Sequence, residues 1–171
     1  PEFIKDFDEN VTALLIETRA LSDEKLNIQI EQIEDLLKEF EVKRKIYFTK
    51  DEQEYNLYWK IRKGLFPAVG AVRVTGTTVI IEDVAYPIEV LAEATLELQG
   101  LFQKYGYSEA LIFGHALEGN FHFVFTQDFS DVKEVKRYDD LMNEVVNSVA
   151  VKYQGSLKAE HGTGRNMAAF I

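Results

Sequence analysis

The amino-acid sequence predicts an α+β fold: a mainly antiparallel sheet with helices on one side, arranged as ferredoxin-like halves. Three observations carry that expectation. Strand-like and helix-like segments alternate as β-α-β-α and then β-α-β-β-α, with no linker or low-complexity stretch between them. Two of the strand-like segments are joined by the short turn Ala-Leu-Glu-Gly-Asn (residues 116–120), which makes a hairpin rather than a crossover. At 171 residues and 46% hydrophobic, the chain can bury a sizeable core and reads as one domain over residues 1–171, with two similar halves.

The elements follow in order. Val11 to Arg19 is apolar and β-prone and reads as a strand. Ser22 then precedes Leu26, Ile30, Ile33, Leu37 and Phe40, spaced by alternating steps of four and three, the pattern of an amphipathic helix capped by serine. Lys43 to Thr49 reads as a short strand. Asp51 caps a second helix carrying Tyr55, Tyr58, Trp59 and Ile61 toward Leu65, with Pro67 and Gly70 marking its end. In the second half, Thr77 to Glu82 is a strand rich in β-branched residues, and Pro87 opens a helix with Ile88, Leu91, Thr95, Leu98 and Phe102 on one face. Ser108 to His115 and Phe121 to Gln127 are the hairpin strands, and Asp131 to Tyr153 is a helix with Val135, Tyr138, Met142, Val145 and Val149 inward.

Composition narrows the function. A net charge of −10 disfavours nucleic acid, which demands a basic stripe, and disfavours electrostatic binding to anionic membrane. No apolar run is long enough for a transmembrane helix, and no signal-peptide pattern opens the chain. With no cysteine, this segment can hold no disulfide, iron–sulfur cluster or thiolate zinc site, and an intracellular setting is the simplest reading. The chain begins at Pro1 and ends at Ile171 directly after a motif, and is expected to be a fragment of a longer one.

All three histidines fall in two glycine-containing patches. His115 and His122 stand seven residues apart around the turn, where Gly and Asn tolerate the backbone geometry required. Alternation puts Phe121, Phe123 and Phe125 on one face and His122, Val124 and Thr126 on the other. Two imidazoles on neighbouring strands plus a carboxylate make a divalent-metal set suited to zinc, manganese or iron(II). Glu160 is the natural carboxylate and Glu118 the competitor. The plainer reading is ordinary surface or capped histidines. The second patch, Lys158 to Asn166, lacks the spacing of a phosphate-binding loop, and its glycines would let backbone approach a ligand. There Glu160 would hold a metal, His161 would move a proton, and Arg165 would pair with a carboxylate. Arg62, beside Trp59, is a further carboxylate anchor, and Arg73 a weaker one.

The pattern Gly-His-x-x-x-Gly-Asn-x-His (Gly114 to His122), followed some forty residues later by Glu-His-Gly-x-Gly (Glu160 to Gly164), resembles the C-terminal domain of FAD-linked oxidases of the vanillyl-alcohol-oxidase type. These are D-lactate, glycolate and D-2-hydroxyglutarate dehydrogenases. Trp59-x-x-Arg62 and Asp83-x-x-x-Pro87 extend the resemblance over roughly residues 55–171, and the wording is most like the long bacterial members that also carry an iron–sulfur region. The resemblance implies a cap domain working with FAD bound by another domain of the full-length chain. That chain would be cytoplasmic, or peripheral to the inner membrane. It implies His115, His122 and Glu160 as metal ligands for zinc or manganese, His161 as the base that takes the hydroxyl proton, and Arg62 as a substrate-carboxylate contact beside Arg165. Asn120, Gly162 and Asn166 are the expected cofactor contacts. Leu117, Ile81 and Val124 depart from residues common among relatives: a glycine, the lysine of the D-2-hydroxyglutarate enzymes, and an asparagine. The expected activity is oxidation of a 2-hydroxyacid to the 2-oxoacid by the full-length flavoprotein, the fragment alone being inactive and its site partly unformed. The alternatives are a self-contained His/His/Glu metallohydrolase and a non-enzymatic ligand-binding module.

Overall fold

A computed structural model of the protein describes residues 11–162 and 164–170, apart from the side chains of Phe66 and Arg165. The chain divides into two compact units, Pro1–Lys63 and Gly64–Ile171.

The first unit contains helix α1 (Asp23–Leu37) and helix α2 (Glu52–Lys63). Both caps are the expected ones: Ser22 Oγ accepts from the Lys25 amide at 3.3 Å, and Asp51 Oδ1 accepts from the Gln53 amide at 2.8 Å. The α1 stripe of Leu26, Ile30, Ile33 and Leu37 is half-buried, but the helix stops at Leu37, which leaves Phe40 outside it and exposed. The strands expected over Val11–Arg19 and Lys43–Thr49 are not formed. A strand exists through a hydrogen-bonded neighbour, and branched or aromatic content raises the preference without supplying that edge. Leu14 and Tyr47 are accordingly exposed. Trp59 donates its indole N–H to Glu17 Oε2 at 2.9 Å.

The second unit opens with helix α3 (Leu65–Val72), so Pro67 and Gly70 lie inside a helix rather than ending one. Pro67 falls in the first turn, where a missing N–H costs no intrahelical bond. Strand β1 (Thr78–Ala85), helix α4 (Leu91–Lys104), strands β2 (Leu111–His115) and β3 (Asn120–Gln127), and helix α5 (Val132–Val146) follow. α5 runs on into one stretch of π-helix over Asn147–Lys152, and a short helix α6 (Gly164–Met167) comes near the end. The sheet is antiparallel with order β1-β3-β2. The α+β class and its antiparallel sheet are therefore those expected.

One face of the sheet makes the core. Ile80 and Val84 of β1 and Phe123 and Phe125 of β3 pack with Ala94, Leu98 and Phe102 of α4 and Leu141, Met142 and Val145 of α5. Val135, expected inward, is 41% exposed because it precedes the part of α5 that meets this cluster. Register follows from the hairpin: Phe113 pairs with His122 and His115 with Asn120, while Asp83 and Ala85 of β1 pair with His122 and Asn120 from the other side. Gly119, at φ +64°, closes the turn in the left-handed region. Gly114 serves close approach instead, since a Cβ there would sit 2.1 Å from the Asn120 carbonyl oxygen. Gly114→Ala must push β2 from β3 and is expected to destabilise the protein by about 1–3 kcal/mol, read by urea unfolding.

Candidate metal and proton-transfer site

The sheet register delivers the imidazoles. β3 is the central strand, and alternation turns His122 away from the phenylalanine core, yet the ring is only 4% exposed. His115, at the end of β2, and the segment after Ser156 close over it. Ser156 is tied to the outer edge of β1 by paired bonds with Ala85, of 2.9 and 2.8 Å. Glu160 and His161 follow four and five residues later.

Three imidazoles then surround one carboxylate oxygen. Glu160 Oε1 lies 2.9 Å from His122 Nε2, 3.3 Å from His115 Nε2 and 3.5 Å from His161 Nε2. His161 stacks on His122 with centroids 4.8 Å apart, and His115 meets His122 edge-on at 5.7 Å. Two donor sets have all their ligand atoms within 4.8 Å of one another: His115, His122 and Glu160, and Asp83, His122 and His161. Two nitrogens and a carboxylate oxygen so disposed fit a divalent cation such as zinc or manganese, and would leave positions for water or substrate. Glu118 belongs to neither set. Of the two carboxylates weighed from sequence, Glu160 is the one against the imidazoles.

Burial sets the electrostatics. It holds His122 below the usual imidazole range, and the neighbouring His161 adds to the effect. His122 is therefore neutral near pH 7, as a ligand must be. On the core face of β1, burial instead pushes the Glu82 carboxyl up, although the Asn166 side-chain amide donates to its Oε1 at 2.5 Å. With the folded-state pKa raised, the stabilising contribution of Glu82 is fully present below the ordinary value of 4.5 and is lost as pH rises through the raised value. Glu82→Gln keeps an acceptor for Asn166 and removes the charge. It is expected to match the parent near pH 4 and exceed it in stability at about pH 7, checked by urea unfolding at both.

Two clefts flank the cluster. One, of about 250 Å3, lies along β1 and is lined by Ile81, Asp83, His161 and Asn166 among others. The other, of about 490 Å3, takes in His115, Glu118, Asn120 and Glu160. Of the expected cofactor contacts, Gly162 and Asn166 line the first cleft and Asn120 the second. Asn120 is buried, with its amide donating to the Val84 carbonyl at 3.4 Å. Arg62 belongs to the first unit, where its guanidinium is 5.9 Å from the Trp59 ring centroid. The Arg165 side chain and Thr163 lie outside the described residues. Sequence reading gave Asp83 no role. Its signal was an acidic pair, Glu82-Asp83, inside a β-branched strand, with Asp83 on the parity that faces His122.

The FAD linked oxidases, C-terminal domain, match residues 4–171 of this chain. The chain belongs to this family. The resemblance read from the two motifs is thereby borne out. The glycolate oxidase subunit GlcD of Escherichia coli strain K12 is 30% identical over 120 residues, which cover 70% of this chain and 23% of that protein. GlcD of Bacillus subtilis strain 168 is 26% identical over 123 residues, covering 72% and 25%. A probable mitochondrial D-lactate dehydrogenase of Danio rerio is 27% identical over 124 residues, covering 72% and 24%. The matched stretch thus spans about a quarter of the length of these curated relatives. Among the described residues no helix is long and apolar enough to cross a membrane.

Proposed function

We propose that this chain is the substrate-binding part of a FAD-dependent D-2-hydroxyacid dehydrogenase, which oxidises a hydroxyacid of the D-lactate or D-2-hydroxyglutarate class to the 2-oxoacid. The observation that carries the reading is the convergence of His115, His122 and Glu160, with His161 stacked beside them. Membership of the FAD-linked oxidase family and the glycolate and D-lactate enzymes among the relatives support it.

His115, His122 and Glu160 are the residues that would hold the metal. A divalent cation held there supplies a Lewis acid that lowers the pKa of the substrate hydroxyl, and FAD, bound mainly by another domain, supplies the hydride acceptor. His161 is the group that takes the hydroxyl proton: its Nε2 is next to Glu160, and its ring is 58% exposed, open to an incoming substrate. His122 packs under it and fixes its plane. The assignments of Arg62 and Arg165 to the substrate carboxylate rest on the sequence motifs, and an iron–sulfur cluster would belong to the rest of the full-length protein.

Metal content and zinc or manganese titration of this chain, beside a His115→Ala/His122→Ala double mutant, test the reading. Stoichiometric binding in the parent and none in the mutant is expected. Hydrolysis by the isolated chain without flavin would replace it with the metallohydrolase alternative.

A further inference from the structure

The segment from Ser156 to Asn166 carries Glu160 and His161, but its described residues form no strand beyond the single bridge to Ala85. It crosses β1, an edge strand of the sheet, and its backbone N–H groups need acceptors. β1 provides them with side chains. Asp83 Oδ2 accepts the backbone N–H of Glu160 at 2.7 Å and that of His161 at 2.9 Å. Asp83 is two residues from Ala85 and so points to the same side of the strand, the side of its cross-strand partner His122. Glu82 has the opposite parity and takes the Asn166 side chain from the core face, where Met167 is fully buried. Between these two anchors Gly162 and Gly164 both have positive φ, and a Cβ on Gly164 would come to 3.3 Å from the Glu82 carboxylate. Successive acids on one edge strand thus grip the second histidine patch from both faces of the sheet.

We propose that Asp83 is the positioning residue of the site: by accepting the amides of both Glu160 and His161, it sets the Glu160 carboxylate against His115 and His122 and lays the His161 ring on His122. The carboxylate is only 2% exposed, and its Oδ2 accepts from both amides at once, which makes the grip directional. Alanine at this position orphans two amides and lets the segment slide along β1, even though the metal-ligand side chains are all retained.

The proposal rests on the metal reading of the cluster, and the experiment separates the two. Zinc titration by calorimetry on this 171-residue chain compares the parent, Asp83→Ala, Asp83→Asn and His122→Ala, with amide hydrogen exchange followed at Glu160 and His161 and, as a fold reference, at Phe123 and Phe125. Asp83→Ala is expected to weaken zinc binding about 10- to 100-fold, the range of an outer-shell partner, while the Glu160 and His161 amides lose protection and the reference amides keep it. Asp83→Asn retains an oxygen acceptor and is expected to recover most of both. Unchanged affinity and unchanged protection in Asp83→Ala overturn the proposal. So does a loss as large as that of His122→Ala with both amides still protected, which would make Asp83 a ligand. Should the parent bind no zinc, the metal reading fails, and the exchange at residues 160 and 161 alone decides whether Asp83 positions the segment.

Discussion

His122→Ala is expected to lower zinc affinity by more than about 100-fold, a larger loss than any outer-shell change produces. Three features make His122 the ligand that cannot be spared. Its Nε2 is the nearest of the three imidazole nitrogens to Glu160 Oε1, at 2.9 Å. It is common to both donor sets, so its loss removes the alternative grouping with Asp83 and His161 as well. Its ring is buried, whereas the His115 side chain is 44% exposed. At His115 water can enter and replace the missing nitrogen, so His115→Ala is expected to lose less than His122→Ala. Burial also lowers the His122 pKa from the ordinary imidazole value, so binding through it competes little with a proton near pH 7. Calorimetric titration of both single variants at neutral pH checks the order. Equal losses would mean that exposure does not control the ligand's contribution.

The largest expected loss of stability comes from the opposite face of the same strand. Phe125 is fully buried, with Tyr107 at 4.5 Å between ring centroids, Phe102 at 5.6 Å, and Phe123 and Tyr138 at 6.3 Å. Rings on α4, α5 and β3 all lean on it, so the space left by Phe125→Ala cannot be filled by one neighbour moving. A cost of about 3–5 kcal/mol is expected. Against a domain stability of about 5–15 kcal/mol that is a large share, and the variant should show a visible unfolded fraction in mild urea. Leu117→Ala is the comparison: at 87% exposed it should change stability by no more than about 0.5 kcal/mol. Urea unfolding followed by circular dichroism measures both. A Phe125→Ala cost near that of Leu117→Ala would mean that the aromatic cluster does not hold the sheet to its helices.

Much of the second unit was legible in the sequence because its signals are local. The helix beginning near Asp131, the hairpin turn with Gly119 in the left-handed region, and the alternation of Phe121, Phe123 and Phe125 against His122 each depend on a few neighbouring residues. The first-half strands failed for the converse reason. Val11–Arg19 and Lys43–Thr49 have strand-forming residues, but a ladder needs a second edge, and composition does not say where that edge is.

The histidine patches divide in the same way. By itself the sequence determined that His115 and His122 come together, because a short antiparallel turn leaves them no other place, and that the chain carries the motifs of its family. Only the tertiary structure decided that Glu160 rather than Glu118 meets them, that His122 is buried rather than on the surface, and that Asp83 holds the segment bearing Glu160 and His161. Those facts depend on where residues 156–166 cross β1, more than seventy positions away along the chain. No local periodicity encodes that crossing. It is set by backbone N–H groups finding acceptors on an edge strand, and by Met167 finding the core on the far side.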